Sequence, residues 1–142
     1  IAAISDAYTR FLERDLATLG KREVTASRLS DIIEHYYTCL ETLFLRVSRY
    51  FENDLAHDRW HQDLLEKMIL DVPGIRPRVL SRATMGILLE LLRFRHFRKY
   101  YYELDYDWAK LDLLRTKMEE AMPLVDGDLE RFTAFVEELG RA

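Results

Sequence analysis

Apolar positions recur along this chain with the three-to-four-residue spacing that places them on one side of a helix, almost from end to end. The first stripe, Ile4, Ala7, Tyr8, Phe11, Leu12, Asp15 and Leu19, predicts a helix from about Ile4 to Leu19, with Gly20 as its stop. A second stripe, Leu29, Ile33, Tyr36, Tyr37, Leu40, Phe44, Val47 and Phe51, predicts a long helix starting near Thr25 or Ser27 and ending about Asn53. Asp58 is the expected cap of a short third helix to Leu70, with Trp60, Leu64 and Met68 turned inward. The stretch from Asp71 to Arg78 holds two of the three prolines and a glycine and predicts a loop. Ser81 is positioned to cap a fourth helix reaching about Leu104. Asp107 is positioned to cap a fifth, from Trp108 to about Leu139, with Gly140 closing it and Pro123 predicting a kink or break. The expected architecture is all-α: an up-and-down bundle of four long helices and one short one, formed by residues 1–142 as a single domain.

Composition supports this reading. Five glycines and three prolines in 142 residues are too few for a turn-rich β fold, and 49% hydrophobic residues suffice for a core. The formal charge of −4 gives no global attraction to polyanions, so any such binding needs a local patch. A lone cysteine, Cys39, excludes an internal disulfide and fits a reducing cytosol, with a small hydrophobe's role inside its helix. No apolar run reaches the roughly 20 residues of a membrane span, and no secretory signal is visible, so a cytoplasmic protein is expected.

The local patch exists. Residues 93–102 read R-F-R-H-F-R-K-Y-Y-Y, where Arg93, Arg95, Arg98, Lys99 and His96 interleave with Phe94, Phe97, Tyr100, Tyr101 and Tyr102. Guanidinium groups grip phosphate with two bonds at once, and aromatic faces stack on bases, so the segment suits RNA. At about 100° per residue, Arg95, Lys99 and Tyr102 continue the apolar line of Leu88, Leu91 and Leu92. Arg95 is therefore expected to face inward, where a cation needs a partner or a phosphate. Glu90, Arg93, Phe94, Phe97 and Tyr101 fall on the opposite arc, an aromatic face suited to a partner chain. The bland alternative is side chains snorkelling at a bundle end. His57 and His61, four apart with aspartates nearby, have the spacing of a helical metal pair, but no persuasive third ligand follows, so no metal and no cofactor are expected. His35 reads as a surface or structural residue.

The run L-L-R-F-R-H-F-R-K-Y-Y-Y-E-L-D-Y-D-W, with E-R-D-L-A-T-L-G-K-R, L-E-T-L-F-L-R-V-S-R-Y-F-E-N and D-V-P-G-I-R-P, resembles the HEPN superfamily and, within it, the HepT-like toxins of toxin–antitoxin pairs. The resemblance implies a helical domain that dimerises, with metal-independent endoribonuclease activity in the active members. Their motif is an arginine, four residues, a histidine, one residue and a tyrosine. Carried onto this chain, the arginine is Arg95 and the tyrosine Tyr102, but the histidine position is Tyr100. An imidazole titrates near neutrality, whereas a phenol near 10 is a far poorer base there. His96, one residue past Arg95, points about 100° away on a helix and is expected to serve only from a second protomer. The resemblance also implies a minimal nucleotidyltransferase antitoxin that transfers AMP to the motif tyrosine, here Tyr102, with Tyr100 and Tyr101 as neighbours. Arg93, Arg98 and Lys99 are the expected phosphate contacts. Three functions stay open: a ribonuclease toxin using Arg95, Tyr100 and His96; a catalytically degenerate relative that binds RNA or its partner; and a plain helical interaction module.

Overall fold

A computed structural model describes residues 1–52, 60–100 and 107–141, with side chains over 1–52, 61–96 and 107–141. It is an all-helical bundle in which the only β-type pairing among the described residues is an isolated bridge between Val72 and Arg76. Helix α1 runs over residues 2–19 in three parts, Ala2–Arg10, a π-helical Phe11–Leu16, and Ala17–Leu19. The chain then forms α2 (Glu23–Glu52), α3 (Trp60–Met68), α4 (Arg82–Tyr100) and α5 (Trp108–Arg141). At 1.5 Å per residue α2 is about 45 Å long, and it packs against every other helix.

The α2 stripe is the heart of the core. Leu29, Ile33, Tyr36, Tyr37, Leu40, Phe44 and Val47 are all buried, and Phe51 is half-buried against Phe132 and Phe135 of α5. Tyr8 and Phe11 of α1, Leu64, Leu65 and Met68 of α3, Leu88 and Leu91 of α4, and Met118 and Val125 of α5 close around it. Leu19, placed on the first stripe by its spacing, is exposed instead, because the π segment changes the helical phase before it is reached.

The helix ends follow local chemistry. Gly20 adopts a φ of +67, the left-handed conformation that ends α1. Helix α2 begins at Glu23; the Thr25 hydroxyl accepts from the Arg22 backbone N–H (2.9 Å) and donates to the Gly20 carbonyl (2.7 Å), joining the two helices. Ser81 caps α4 through its hydroxyl on the Thr84 N–H (3.1 Å), and Asp107 caps α5 through its carboxylate on the Ala109 N–H (2.9 Å). Helix α5 is continuous through Pro123 and Gly140 to Arg141, so no break occurs. Proline removes one backbone bond, while Met118, Ala121 and Val125 bury the turns on either side and hold the helix in place. The expected ends at Asn53, Asp58 and Leu104 lie outside the described residues.

The connection from α3 to α4 is a built structure. Pro73 and Gly74, with φ +74 at the glycine, form the turn inside the Val72–Arg76 bridge. Arg76 is fully buried at its centre, and all five N–H donors of its guanidinium are used. Nε (2.9 Å) and Nη2 donate to Glu52, Nη1 to the carbonyls of Leu70 (3.1 Å) and Pro77 (3.2 Å), and Nη2 also to that of Lys67 (3.2 Å). One side chain thus ties the end of α2 to the end of α3. At the start of α4, the Asp128 carboxylate of α5 accepts from the Ser81 N–H (2.7 Å) and the Thr84 hydroxyl (2.6 Å). No helix among the described residues is long and apolar enough to cross a membrane.

Candidate functional site

Arg95 faces inward, as its place on the Leu88–Leu91–Leu92 line requires, and its side chain is 16% exposed. It meets Glu41 of α2, with Nη1 lying 3.3 Å from the carboxylate. Glu41 is itself almost fully buried, at 4% exposure. A carboxylate at that depth is destabilising by several kcal/mol unless cations and donors surround it. Two groups do so. Arg95 approaches one carboxylate oxygen, and His61 of α3 bonds the other through Nδ1. Three helices thereby place an acid, a guanidinium and an imidazole in one cluster.

The protonation pattern follows from the geometry. Nδ1 of His61 also lies 3.4 Å from Nη1 of Arg95. A bare Nδ1 lone pair against a carboxylate would be repulsive, so the carboxylate contact favours the tautomer carrying the proton on Nδ1. The basic nitrogen of His61 is then Nε2. His96 completes the group: its ring meets that of His61 edge to face, centroids 5.1 Å apart at 84°. Arg95 and His96 diverge along α4, but α3 crosses so that His61 touches both. Within one chain, His96 thus reaches the edge of the cluster through the His61 ring. Tyr37 borders the group one turn before Glu41. Burial pushes its phenol well above the ordinary range, Glu41 adds to the shift and Arg95 opposes it, so the hydroxyl stays protonated.

Among the described residues, Arg95 makes its polar contacts through Nη1 alone, leaving the Nε–Nη2 edge of the fork uncommitted. That edge has the shape for two parallel bonds to a phosphate. Arg93 is exposed on the outer side of α4 and available to a polyanion. Phe94, expected on a contact face, is instead half-buried against the core, which shrinks the proposed aromatic surface. The α4 backbone continues through Arg98, Lys99 and Tyr100, whose side chains lie outside the described residues, as do Tyr101 and Tyr102 entirely. His57 lies outside them too. Among the described residues no group of three or more metal-ligating side chains forms.

Glu41 and the role of His61 were missed by sequence reasoning, although a signal was present. Glu41 stands four residues after Tyr37 and three before Phe44, directly on the buried line of α2. His61 stands three before Leu64 on the inner line of α3. A charged residue on an apolar line predicts a buried partner, but it does not say which one.

Fold and cluster together define an all-helical bundle with a buried acid, guanidinium and imidazole at the meeting of three helices. The family model described as HepT-like protein matches residues 28–136, which include Glu41, His61, Arg95 and His96, and the chain belongs to the HepT-like family. No curated protein and no solved structure matches.

Proposed function

We propose that this protein is the toxin component of a toxin–antitoxin pair, a metal-independent endoribonuclease of the cytoplasm that holds the scissile phosphate on Arg95. The observation carrying this reading is the half-committed guanidinium of Arg95, oriented by a buried carboxylate beside His61, whose ring meets that of His96. Membership of the HepT-like family, typically linked to toxin–antitoxin pairs, supports it. Arg93, Arg98 and Lys99 are the further phosphate contacts of this reading. The working unit is a homodimer of single-domain chains. An apolar groove between α2 and α5, lined by Leu43, Val47, Tyr50, Leu129, Phe132 and Val136, supports a protein partner. The antitoxin is a minimal nucleotidyltransferase that blocks the site by adding AMP to Tyr102.

Induced expression is expected to arrest growth, and the purified protein to cleave single-stranded RNA in the presence of a metal chelator. Arg95→Ala is expected to lower cleavage by about 10²- to 10³-fold, the usual loss of a group that stabilises transition-state charge. Undiminished cleavage by Arg95→Ala removes the site assignment. Mass spectrometry after co-expression with a minimal nucleotidyltransferase is expected to find AMP on Tyr102, and an unmodified complex-free chain counts against that partner. A second reading, a degenerate member that binds RNA without cutting it, is favoured by Tyr100 at the motif's histidine position. Tight RNA binding without cleavage would establish it.

A further inference from the structure

The groove between α2 and α5 is apolar along its floor and charged along its rims, and the two rims differ in sign. Phe51 and Phe132 form the floor, their ring centroids 5.9 Å apart. Tyr50 and Val136 stand at its edges, 82% and 41% exposed. Arg46 lines the α2 rim. On the α5 side, a second depression is lined by Asp126, Glu130 and Glu137. Leu129 and Thr133 line both, so the apolar groove passes directly into the acidic depression. Glu137 lies 4.0 Å from Arg141, whereas Arg46, Asp126 and Glu130 have no ion-pair partner among the described residues. We infer that this groove is the face on which a second copy of the chain docks, with Arg46 of each copy seated against Asp126 and Glu130 of the other; this rests on the homodimer reading above.

The geometry carries the pairing. Helices α2 and α5 run in the same direction: the Trp108 indole at the start of α5 donates to the Arg22 carbonyl just before α2 (3.3 Å), and Phe51 near the end of α2 meets Phe132. Arg46 stands five residues before Phe51, about 7.5 Å along the axis, which sets it level with the stretch of α5 between Asp126 and Glu130. A two-fold axis running along the groove keeps that level and exchanges α2 for α5. It places the basic rim of each copy on the acidic rim of the other, twice per dimer, and closes the two apolar floors on each other. An axis across the groove sets each rim against its own counterpart, which like charge disfavours. An apolar strip between edges of opposite sign is thus complementary to itself, and no other sequence is needed to cover it. Aromatic side chains such as Tyr50 and Phe132 at the centre, with charge confined to the rim, are the usual composition of such a face. Glu41 lies about 160° around α2 from Leu43, so the Arg95 cluster is on the far side of the helix and changes to the groove do not touch it.

The test is sedimentation velocity with native mass spectrometry on the full chain across the micromolar range. The wild type is expected as a two-chain species. Arg46→Glu puts like charges together at both rim contacts and is expected to weaken association by about tenfold or more, with helical content unchanged because Arg46 is exposed. Asp126→Arg combined with Glu130→Arg is expected to do the same from the other rim. An equimolar mixture of these two proteins is expected to regain a dimer holding one chain of each, since every rim contact again joins opposite charges; that recovery also shows both variants to be folded. Val136→Asp, which puts a charge into the apolar strip, is expected to lose association in either mixture. Charge-reversed variants that remain single chains on mixing overturn the proposal. A wild-type dimer whose affinity survives both Arg46→Glu and Val136→Asp overturns this face while leaving the homodimer reading standing. A wild type that stays a single chain throughout removes the homodimer reading itself, and this proposal with it.

Discussion

Arg76 and Arg95 are both drawn off the surface onto a glutamate, and they differ in what the rest of the guanidinium does. Arg76 donates all five N–H groups, to Glu52 and to carbonyls at the ends of α3 and its loop, and its side chain has no exposure at all. Arg95 is anchored through one nitrogen, among the described residues, and keeps part of its surface open. A saturated fork can only hold the fold. An anchored but unsaturated one is fixed in direction and still able to take two more bonds, which a phosphate requires. Degree of saturation, more than burial or the presence of an ion pair, separates the architectural arginine from the working one.

The sharpest way to break this comparison is Arg76→Ala. It strands Glu52 and several carbonyls at once and is expected to lower unfolding stability by about 3–5 kcal/mol, read by chemical denaturation. A loss under about 1 kcal/mol would mean that saturation says nothing about structural role. Arg95→Ala leaves Glu41 its bond from His61, so its stability loss is expected to be smaller, about 2 kcal/mol, alongside the much larger loss of cleavage. Arg95→Lys should restore most of that stability but little of the activity, because an ammonium cannot present two parallel bonds.

Asp128 extends the comparison to a carboxylate. Burial alone would raise its pKa, but the Ser81 N–H, the Thr84 hydroxyl and Arg131 outweigh it and hold the group below the ordinary carboxylate range. A depressed folded-state pKa means that stability is gained above the unfolded-state value and lost as pH falls through the folded one. Asp128→Asn is therefore expected to cost about 1 kcal/mol near neutrality, with the difference from wild type vanishing in acid. Parallel stability curves for the two proteins down to low pH would contradict this. The smallest effect is expected at Tyr36. Its hydroxyl is buried with no hydrogen-bond partner among the described residues, an unsaturated group without access to a ligand. Tyr36→Phe should be neutral or stabilising by up to about 1 kcal/mol in thermal unfolding, and clear destabilisation would reveal a hidden partner.

Much of the fold was legible because its signals are local. The α2 stripe, the Ser81 and Asp107 caps and the proline-rich loop each rest on residues a few positions apart. The inward turn of Arg95 was legible for the same reason. Its partners were not, since Glu41 and His61 belong to other helices and only packing brings them together. The burial of Arg76 carried no physical signal in the sequence, because an arginine in a loop ordinarily faces water. Pro123 misled in the other direction: the proline rule describes one lost bond, and a helix of 34 residues with a buried face absorbs it.

The π segment of α1 has a meaning for how the chain can change. Its i→i+5 rings hold one residue more than the α-helical rings on either side, so Phe11–Leu16 behaves as a one-residue insertion absorbed within a helix. A spare residue at this place makes the first helix a natural point for length variation among descendants of this sequence. Removing one residue there would relax the stretch to ordinary α geometry while Tyr8 and Phe11 kept their seats against α2 and α5. The same deletion within residues 30–47 of α2 would turn Glu41 away from Arg95 and His61 at a stroke.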